Sequence, residues 1–425
     1  MSEGAGLAAR KAALSIFSQV LRQRRPLDLV LDALKALPPR DAGFARALAS
    51  QALRHFGELD AVIARFVAKP LQPHKAGPAM EILLLGACEL LILTVPPHAA
   101  VDAANRLAQA DSKAVHFKSL INAVLRRVAR EGESVRANLD CARLNTPDWL
   151  WARWSAQYGE DIARAIAAAH NKEAPLDITL KSADVLHPES TPLIGLSRRV
   201  QAEGRVEEMP GFAGGNWWVQ DVAAALPVTL LGNVAGKRVI DLCAAPGGKT
   251  LQLAAGGADV MSVELEPARA GRIRENLART DLKANVIESD ARDFKDETAL
   301  ILLDAPCTAT GTIRRHPDLP WIKGAGDVTA QTALAYELLE SAALMVEPHG
   351  LLIFAVCSLE REEGEEQIAA FLAAHPEFAR VPVTADDVSG HVEWITPDGD
   401  LRTLPCHLSE QGGMDGFYAA RLRRG

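Results

Sequence analysis

Two cysteines, each placed directly after an apolar run, are the residues of this chain best suited to do chemistry. Cys307 follows ALILLDAP and Cys357 follows GLLIFAV, so each thiol stands where a buried strand is predicted to end. A glycine-containing segment, DLCAAPGGKT at residues 241–250, lies upstream of both. Thiols near a cofactor-type turn indicate covalent catalysis beside a bound cofactor.

The segment 241–250 has the pattern of a strand end, a tight turn and a helix start. Gly247 and Gly248 let the backbone approach a ligand, and the free N–H groups of a helix start can face it. The pattern is neither G-x-G-x-x-G nor a Walker A sequence, which argues against NAD and ATP. Glu264 ends the second strand, where it can bind ribose hydroxyls, and Asp290 ends the third, near an adenine edge. These features predict an adenosyl-type cofactor.

The loop that carries Cys307 is predicted to face the same cofactor, because ligands of open α/β sheets bind beyond the carboxyl ends of the strands. Asp304 opens this loop, and an Arg-Arg-His run at 314–316 follows it. That run suits either phosphate binding or a solvated turn. Cys357 ends the fifth strand, which is adjacent to the fourth in a doubly wound sheet, so we expect the two thiols to be neighbours.

These residues must be positioned by a sheet, and the sequence predicts one. From about residue 175, short apolar runs alternate with helical patterns, which is typical of a mostly parallel sheet covered on both faces. Residues 1–130 instead show apolar residues at helical spacing throughout. We therefore predict a helical domain at 1–130, a helical linker with a small α+β subdomain at 131–230, and an α/β domain at 231–425.

Charge is distributed unevenly along the 425 residues. The net charge is -8, yet residues 1–130 hold 18 Lys+Arg against 10 Asp+Glu, whereas the remainder holds 28 against 44. This asymmetry predicts that the first part binds an anion, nucleic acid above all; a solvated basic surface is the alternative.

Composition excludes several classes of protein. The six cysteines lack the paired spacings of a disulfide framework or a zinc site, so no metal is predicted. The start lacks the apolar segment of a signal peptide, and the most apolar run, ILLLGACELLILTV, is too short to span a bilayer. The expectation is a cytoplasmic protein with reduced thiols and no membrane partner.

Three segments together resemble the successive motifs of the Nop/Sun family of RNA cytosine-5 methyltransferases: DLCAAPGGKT, DAPCTATGTIRRHPD and VCSLEREEGEEQ. QDVAAALPVTLL and GGMDGFYAARL fit the flanking motifs, and the similarity covers about residues 175–425. Residues 1–130 resemble the NusB-type RNA-binding domain fused to the RsmB-like branch of this family, which modifies small-subunit ribosomal RNA. The resemblance implies a class I Rossmann-like methyltransferase domain preceded by an all-α NusB-like domain.

The same resemblance implies a cofactor, a substrate and roles for particular residues. S-adenosylmethionine would be the methyl donor, and a cytosine of RNA, most naturally 16S rRNA, the acceptor; a transfer RNA would need no different catalytic residues. Cys357 would add to C6 of the base, Cys307 would help release the product, and Asp304 would meet the methionine end or the target base. Glu264 would take the ribose and Asp290 the adenine region. The cofactor turn would consist of Cys243, Ala244, Ala245, Pro246, Gly247, Gly248 and Lys249.

Three positions depart from the family pattern. Val356 stands where a threonine usually precedes the nucleophile, Ala309 replaces a glycine of the loop after Cys307, and Glu264 replaces the aspartate of many relatives. None of these changes removes a group that the mechanism requires, so we expect them to affect substrate choice and rate.

Two other functions remain open from sequence. A DNA cytosine methyltransferase would use the cysteine of the Pro306–Cys307 pair, but that interpretation leaves Cys357 without a role. A non-catalytic RNA-binding assembly factor would have kept only the methyltransferase shape, which the intact turn and both thiols argue against. Nothing in the sequence demands more than a monomer.

Overall fold

The computed structural model describes residues 5–69, 71–185, 187, 190–201 and 204–425. The chain forms two compact units. The helical unit contains Met1–Lys172 and Ile313–Gly324, and the sheet unit contains Glu173–Thr312 and Ala325–Gly425. Residues 1–4, on which part of the signal-peptide expectation rests, lie outside the described residues.

The helical unit confirms the helical pattern predicted for the first part of the chain. Three of its helices begin with a proline, at Pro39, Pro73 and Pro97, because proline has the backbone φ of a helix and needs no N–H partner in the first turn. Numbered along the chain, its helices are α1 (Ala5–Gln23), α2 (Leu27–Leu31), α3 (Pro39–Arg54), α4 (Phe56–Ala64), α5 (Pro73–Ala76), α6 (Ala79–Leu91), α7 (Pro97–Gln109), α8 (Lys118–Arg136), α9 (Cys141–Leu144), α10 (Asp148–Tyr158), α11 (Glu160–His170) and α15 (Leu319–Ile322).

Helix α6 forms the centre of this unit and corresponds to the apolar run that is too short to cross a bilayer. Its residues 81–89 are all buried, and the charge of Glu89 is met by Arg10, whose Nε donates to Glu89 Oε1 at 2.9 Å. A buried carboxylate needs such a partner, so the glutamate within the apolar run marks a core ion pair. Among the described residues, no helix is both long and apolar enough to span a membrane.

Residues 313–324 belong to the helical unit although the sheet unit surrounds them in sequence. Asp318 accepts a hydrogen bond from the backbone N–H of Leu27 at 2.8 Å, and Trp321 Nε1 donates to a carbonyl oxygen of α3 at 2.9 Å. Arg314 is only 2% exposed. Arg314 is therefore a core residue of the helical unit. For this first residue of the Arg-Arg-His run, the structure corrects both the solvated turn and the phosphate contact that the sequence suggested.

The sheet unit holds two sheets with helices between the strands. Its elements are β1 (Leu176–Leu180), β2 (Ser190–Pro192), β3 (Ser197–Val200), β4 (Trp217–Val219), α12 (Val222–Thr229), β5 (Arg238–Leu242), α13 (Gly248–Ala255), β6 (Asp259–Glu264), α14 (Pro267–Thr280), β7 (Asn285–Glu288), β8 (Thr298–Asp304), α16 (Ala325–Leu344), β9 (Val346–Val356), α17 (Glu365–Ala374), β10 (Phe378–Arg380), β11 (Leu401–Thr403) and β12 (Phe417–Arg424).

The large sheet has the order β10-β12-β9-β8-β5-β6-β7, with β11 paired to β12. Strands β5 to β9 pair in parallel and β12 runs antiparallel to β9, which confirms the predicted doubly wound, mostly parallel sheet. The smaller sheet has the order β2-β3-β1-β4 and is antiparallel. The domain boundaries predicted at residues 130 and 230 stay a prediction.

Two of the helical glycines, Gly57 and Gly43, provide a matched test of packing in the helical unit. A Cβ added at Gly57 would lie 1.8 Å from the carbonyl oxygen of Leu144, whereas a Cβ at Gly43 would meet nothing within 4 Å. We expect Gly57→Ala to lower the free energy of unfolding by about 3 kcal/mol or more through overpacking. Gly43→Ala should raise it by about 0.5–1 kcal/mol through helix propensity. Urea unfolding of both variants checks this; equal stabilities would contradict the close approach.

Candidate active site

The predicted cofactor turn leaves the end of β5 and closes tightly before α13. The N–H of Ala244 donates to the carbonyl of Val263 at 3.1 Å, and the N–H of Gly247 donates to the carbonyl of Ala244 at 2.9 Å. Gly247 has φ 102°, a conformation that glycine adopts without steric cost. The turn therefore directs the first N–H groups of α13 toward the carboxyl edge of the sheet, where a ligand of this fold binds.

Glu264, at the end of β6, lies directly against this turn. Its side chain is buried, and its two carboxylate oxygens accept from the N–H of Ala245 and the N–H of Glu266, each at 3.1 Å. The guanidinium of Arg269 also lies 3.6 Å from Oε1. A carboxylate oxygen has two acceptor positions, so Oε2 retains one for a ligand hydroxyl. The carboxylate can therefore accept a hydrogen bond from a ribose hydroxyl, which is the contact that the sequence predicts for Glu264.

Asp290 lies past the end of β7, the next strand of the sheet. The guanidinium of Arg292 donates to Asp290 Oδ2 at 2.7 Å, and this bond holds the pKa of Asp290 below its ordinary value. Arg292 also pairs with Glu337 at 2.7 Å. Asp290 thus remains ionised and fixed at the strand end, as an adenine-facing carboxylate requires.

Lys249 and Asp304 form an ion pair that joins the cofactor turn to the loop after β8. Lys249 Nζ donates to Asp304 Oδ2 at 2.7 Å, and its ammonium lies 5.0 Å from the ring centroid of Phe417. Lys249 is buried, so the pair concentrates both charges next to the turn. An ammonium and a carboxylate side by side match the charges of an amino acid such as the methionine end of the predicted cofactor.

The two cysteines that the sequence places after neighbouring strands meet in the structure. Cys307 Sγ lies 3.5 Å from Cys357 Sγ, and all six cysteines of the chain are free thiols. The hydrogen bond with Cys357 and burial raise the pKa of Cys307 well above its ordinary value. Cys307 therefore keeps its proton at neutral pH, and a hydrogen bond joins the two sulfurs.

Backbone contacts hold the two cysteine loops together. The N–H of Gly311 donates to the carbonyl of Cys357 at 3.0 Å, and the N–H of Gly416 donates to the carbonyl of Gly311 at 2.8 Å. A Cβ at Gly311 would lie 2.0 Å from the carbonyl oxygen of Gly416, so only glycine fits there. Ala309, the departure from the family glycine, has φ 59° and carries the strain of a left-handed conformation.

Sequence reasoning missed two buried acids of this region. Asp241, at the end of β5, accepts from Thr250 Oγ1 at 2.6 Å, and burial raises its pKa to about 7. Glu363 is buried beneath the cysteine loops. For Asp241, the available signal was its place in the cofactor motif, because an acidic residue within an apolar strand is expected to be buried. Membership of the VCSLEREEGEEQ segment was the available signal for Glu363, but its charge run is typical of a solvated surface.

Cys243, the cysteine of the cofactor turn, has the pKa of an unreactive thiol. Burial raises the pKa of Cys243 to about 12, with the nearby carboxylates of Asp304 and Glu264 adding to the effect. A thiol that stays protonated is neither a nucleophile nor a metal ligand. Cys243 therefore contributes to the turn as an unreactive thiol.

Fold and site together define a Rossmann-like methyltransferase with two facing thiols. The family model described as "16S rRNA methyltransferase RsmB/F" matches residues 228–423, and the NusB family model matches residues 7–130. The ribosomal RNA small subunit methyltransferase B of Pseudomonas putida is 36% identical, with 97% of this chain and 98% of the relative covered. That of Pasteurella multocida is 34% identical, with 98% and 96% covered.

Solved structures agree with the fold. The crystal structure of PH0851 is 22% identical over the whole of both chains with a TM-score of 0.76. That of NSun6 from Pyrococcus horikoshii with SFG has a TM-score of 0.56 at 16% identity, with 65% of this chain and 98% of that chain covered. At these identities the likeness concerns the fold alone.

The chain belongs to the 16S rRNA methyltransferase RsmB/F family. It is an S-adenosylmethionine-dependent RNA cytosine-5 methyltransferase with an N-terminal NusB-like domain.

The raised pKa of Asp241 predicts how the stability of the sheet unit depends on pH. The unfolded carboxyl loses its proton near pH 4 and the folded one near pH 7, so the stabilisation is complete below pH 4 and disappears as pH rises through 7. We expect Asp241→Asn to remove this dependence. As the pH rises from 4 to 7, the free energy of unfolding of the native chain should fall by a few kcal/mol through this group, whereas that of the variant should not.

Urea unfolding at several pH values measures this difference. Asp259→Asn, the same change at an exposed position on the adjacent strand, is the matched control and should follow the native curve. Parallel curves for Asp241→Asn and the native chain would rule out a neutral Asp241 in the folded state.

Proposed function

We propose that this chain methylates C5 of a cytosine in 16S rRNA through a covalent bond between Cys357 and C6 of the base. The observation that carries the proposal is the 3.5 Å approach of two free thiols at the sheet edge that also bears the cofactor turn. A pair of thiols suits a reaction that both forms and breaks a carbon–sulfur bond. The family membership supports RNA as the substrate class.

The residues around the turn fit S-adenosylmethionine. When bound, it supplies an electrophilic methyl group on a sulfonium. Glu264 would hold the ribose hydroxyls, Asp290 would face the adenine, and the Lys249–Asp304 pair would complement the amino acid end. The turn from Cys243 to Gly248 would place backbone N–H groups against the adenosyl part.

Addition of Cys357 makes the base reactive. The Cys357 thiolate adds its electron pair to C6, the C5–C6 double bond moves toward N3, and C5 becomes nucleophilic enough to take the methyl group. Asp304 would meet either the amino acid end of the cofactor or N3 of the base. In the second role it acts as a carboxylic acid, and it donates to N3 the proton that balances the charge left there by the addition. The cytosine must be unstacked or single-stranded to reach these groups.

Release reverses the addition. The proton on C5 leaves to water acting as a base, its electron pair restores the C5–C6 double bond, and the C6–sulfur bond breaks toward Cys357. Cys307, held protonated 3.5 Å away, donates a hydrogen bond to the departing sulfur. Removal of Cys307 should therefore stop the cycle at the covalent stage.

Exchange of each cysteine for alanine separates the two roles. With S-adenosylmethionine and 16S rRNA, Cys307→Ala should accumulate a protein–RNA adduct that survives denaturing gels, and Cys357→Ala should form none. Both variants should lose at least a hundredfold in 5-methylcytosine formation, measured by bisulfite sequencing. Cys406→Ala, a cysteine outside the site, is the control and should act as the native chain.

The reverse pattern, with an adduct only in Cys357→Ala, would favour a mechanism based on the Pro306–Cys307 pair. Isothermal titration distinguishes the non-catalytic assembly factor, because that function predicts no binding of S-adenosylmethionine at millimolar concentration.

The helical region supports RNA recognition in this proposal. Residues 1–130 carry the excess of positive charge, and Arg126 and Arg130 are exposed on α8. Phosphate contacts of such arginines would orient the RNA without reading its sequence. We propose further that 131–230 form the linker and small RNA-binding subdomain, that 231–425 form the methyltransferase domain, and that the protein acts as a cytoplasmic monomer.

Salt dependence tests the contribution of Arg126. We expect Arg126→Ala to weaken binding to a 16S rRNA fragment and to reduce the slope of log K against log salt by about 0.7, the share of one phosphate contact in single-stranded RNA. Binding titrations from low to moderate salt measure the slope. An unchanged slope would show that Arg126 does not contact the RNA backbone.

A further inference from the structure

A buried carboxylate lies beneath the two cysteines and has no part in the proposed mechanism. Glu363 is 0% exposed and ends the turn Arg361–Glu363, six residues after Cys357. Its neighbours in sequence, EREEGEE, form a run of charges of the kind that usually faces water. Burial of a carboxylate is costly unless hydrogen bonds offset the loss of water, so its partners account for its position.

The partners of Glu363 come from both cysteine loops. Oε1 accepts from the N–H of Thr308 at 2.8 Å, and Oε2 accepts from Thr308 Oγ1 at 2.6 Å and from Ser358 Oγ. Thr308 directly follows Cys307, and Ser358 directly follows Cys357. One carboxylate thus joins the residues next to the two sulfurs, which are 50 positions apart in sequence.

Further hydrogen bonds fix this connection. Thr310 Oγ1 accepts from the N–H of Leu359 at 3.0 Å and lies 3.3 Å from Ser358 Oγ. The guanidinium of Arg402 donates to the carbonyl of Ser358 and pairs with Glu365 at 2.6 Å. The carboxylate therefore acts within a rigid network.

We propose that Glu363 is a positioning residue that sets the separation of the sulfurs of Cys307 and Cys357, an inference that rests on the proposed function. In this role Glu363 does not contact the reacting base or the cofactor. It acts through its hydrogen bonds with Thr308 and Ser358. Displacement of a reacting group by about 1 Å costs on the order of a hundredfold in rate. Loss of the carboxylate should therefore slow catalysis without weakening substrate binding.

Steady-state kinetics of the full chain with 16S rRNA transcript and S-adenosylmethionine test this role. We expect Glu363→Ala to lower kcat about a hundredfold with the KM of both substrates unchanged. Glu363→Gln, which keeps the shape and one acceptor, should recover about tenfold of that loss. Glu366→Gln, the same change at an exposed glutamate in the first turn of α17, is the control and should match the native chain.

A second measurement reports the separation of the sulfurs without catalysis. Diamide oxidises two adjacent thiols to a disulfide and is itself reduced to the hydrazine, so the rate of Cys307–Cys357 crosslinking, followed by peptide mass spectrometry, depends on their approach. We expect crosslinking in Glu363→Ala to be at least tenfold slower than in the native chain and in Glu366→Gln.

The outcomes separate this inference from the proposed function. A native kcat and crosslinking rate in Glu363→Ala overturn the positioning role, even if methylation itself is confirmed. A native chain that crosslinks rapidly but forms no 5-methylcytosine in 16S rRNA overturns the proposed function alone. If Glu363→Ala fails to fold, the double variant Thr308→Val, Ser358→Ala removes both hydroxyl donors and keeps the carboxylate; native kcat and crosslinking in that variant overturn the positioning role.

Discussion

Parallel pairing between β8 and β9 is the constraint on which the site depends. Leu303 pairs with Phe354 and Asp304 with Ala355, and the N–H of Ala305 extends the ladder by bonding to the carbonyl of Ala355 at 2.9 Å. Adjacent strands lie about 4.8 Å apart, so residues that follow the two ends at the same level must meet. The approach of the sulfurs is thus a consequence of strand register. The cofactor turn after β5, on the other side of β8, is held at the same edge for the same reason.

This arrangement brings buried acids to an edge whose strands are otherwise apolar. Asp241, Glu264 and Glu363 are all buried. Asp241 accepts from a hydroxyl in the first turn of α13, and Glu264 and Glu363 accept from the turn or loop beside them. A carboxylate in such surroundings destabilises the fold when it has no donor and orders the loop when it has several. The acids therefore connect the stability of the loops to the geometry of the reacting groups, because the donors that satisfy them are the residues next to the turn and the thiols.

The course of the chain after Cys307 adds a second constraint. The segment 308–312 remains in the sheet unit, residues 313–324 belong to the helical unit, and the chain returns to the sheet unit at Ala325. Hydrogen bonds from Leu27 to Asp318 and from Trp321 to α3 anchor the segment within the helical unit. The loop that carries Cys307 is consequently continuous with a structural element of the other unit, although sequence pattern assigns it to the α/β domain.

The sequence by itself determined the class of sheet, the adjacency of the two strands that precede the cysteines, and the strand ends that carry Glu264, Asp290, Cys307 and Cys357. Those features follow from local patterns, since apolar runs, glycines and strand ends report on the few residues around them. Tertiary structure alone decided that Arg314 is buried in the helical unit, that Lys249 pairs with Asp304, and that Glu363 joins the two cysteine loops. Burial and pairing of a charge depend on groups distant in sequence. The identity of a charged residue does not show whether it faces water or a buried hydrogen-bond donor.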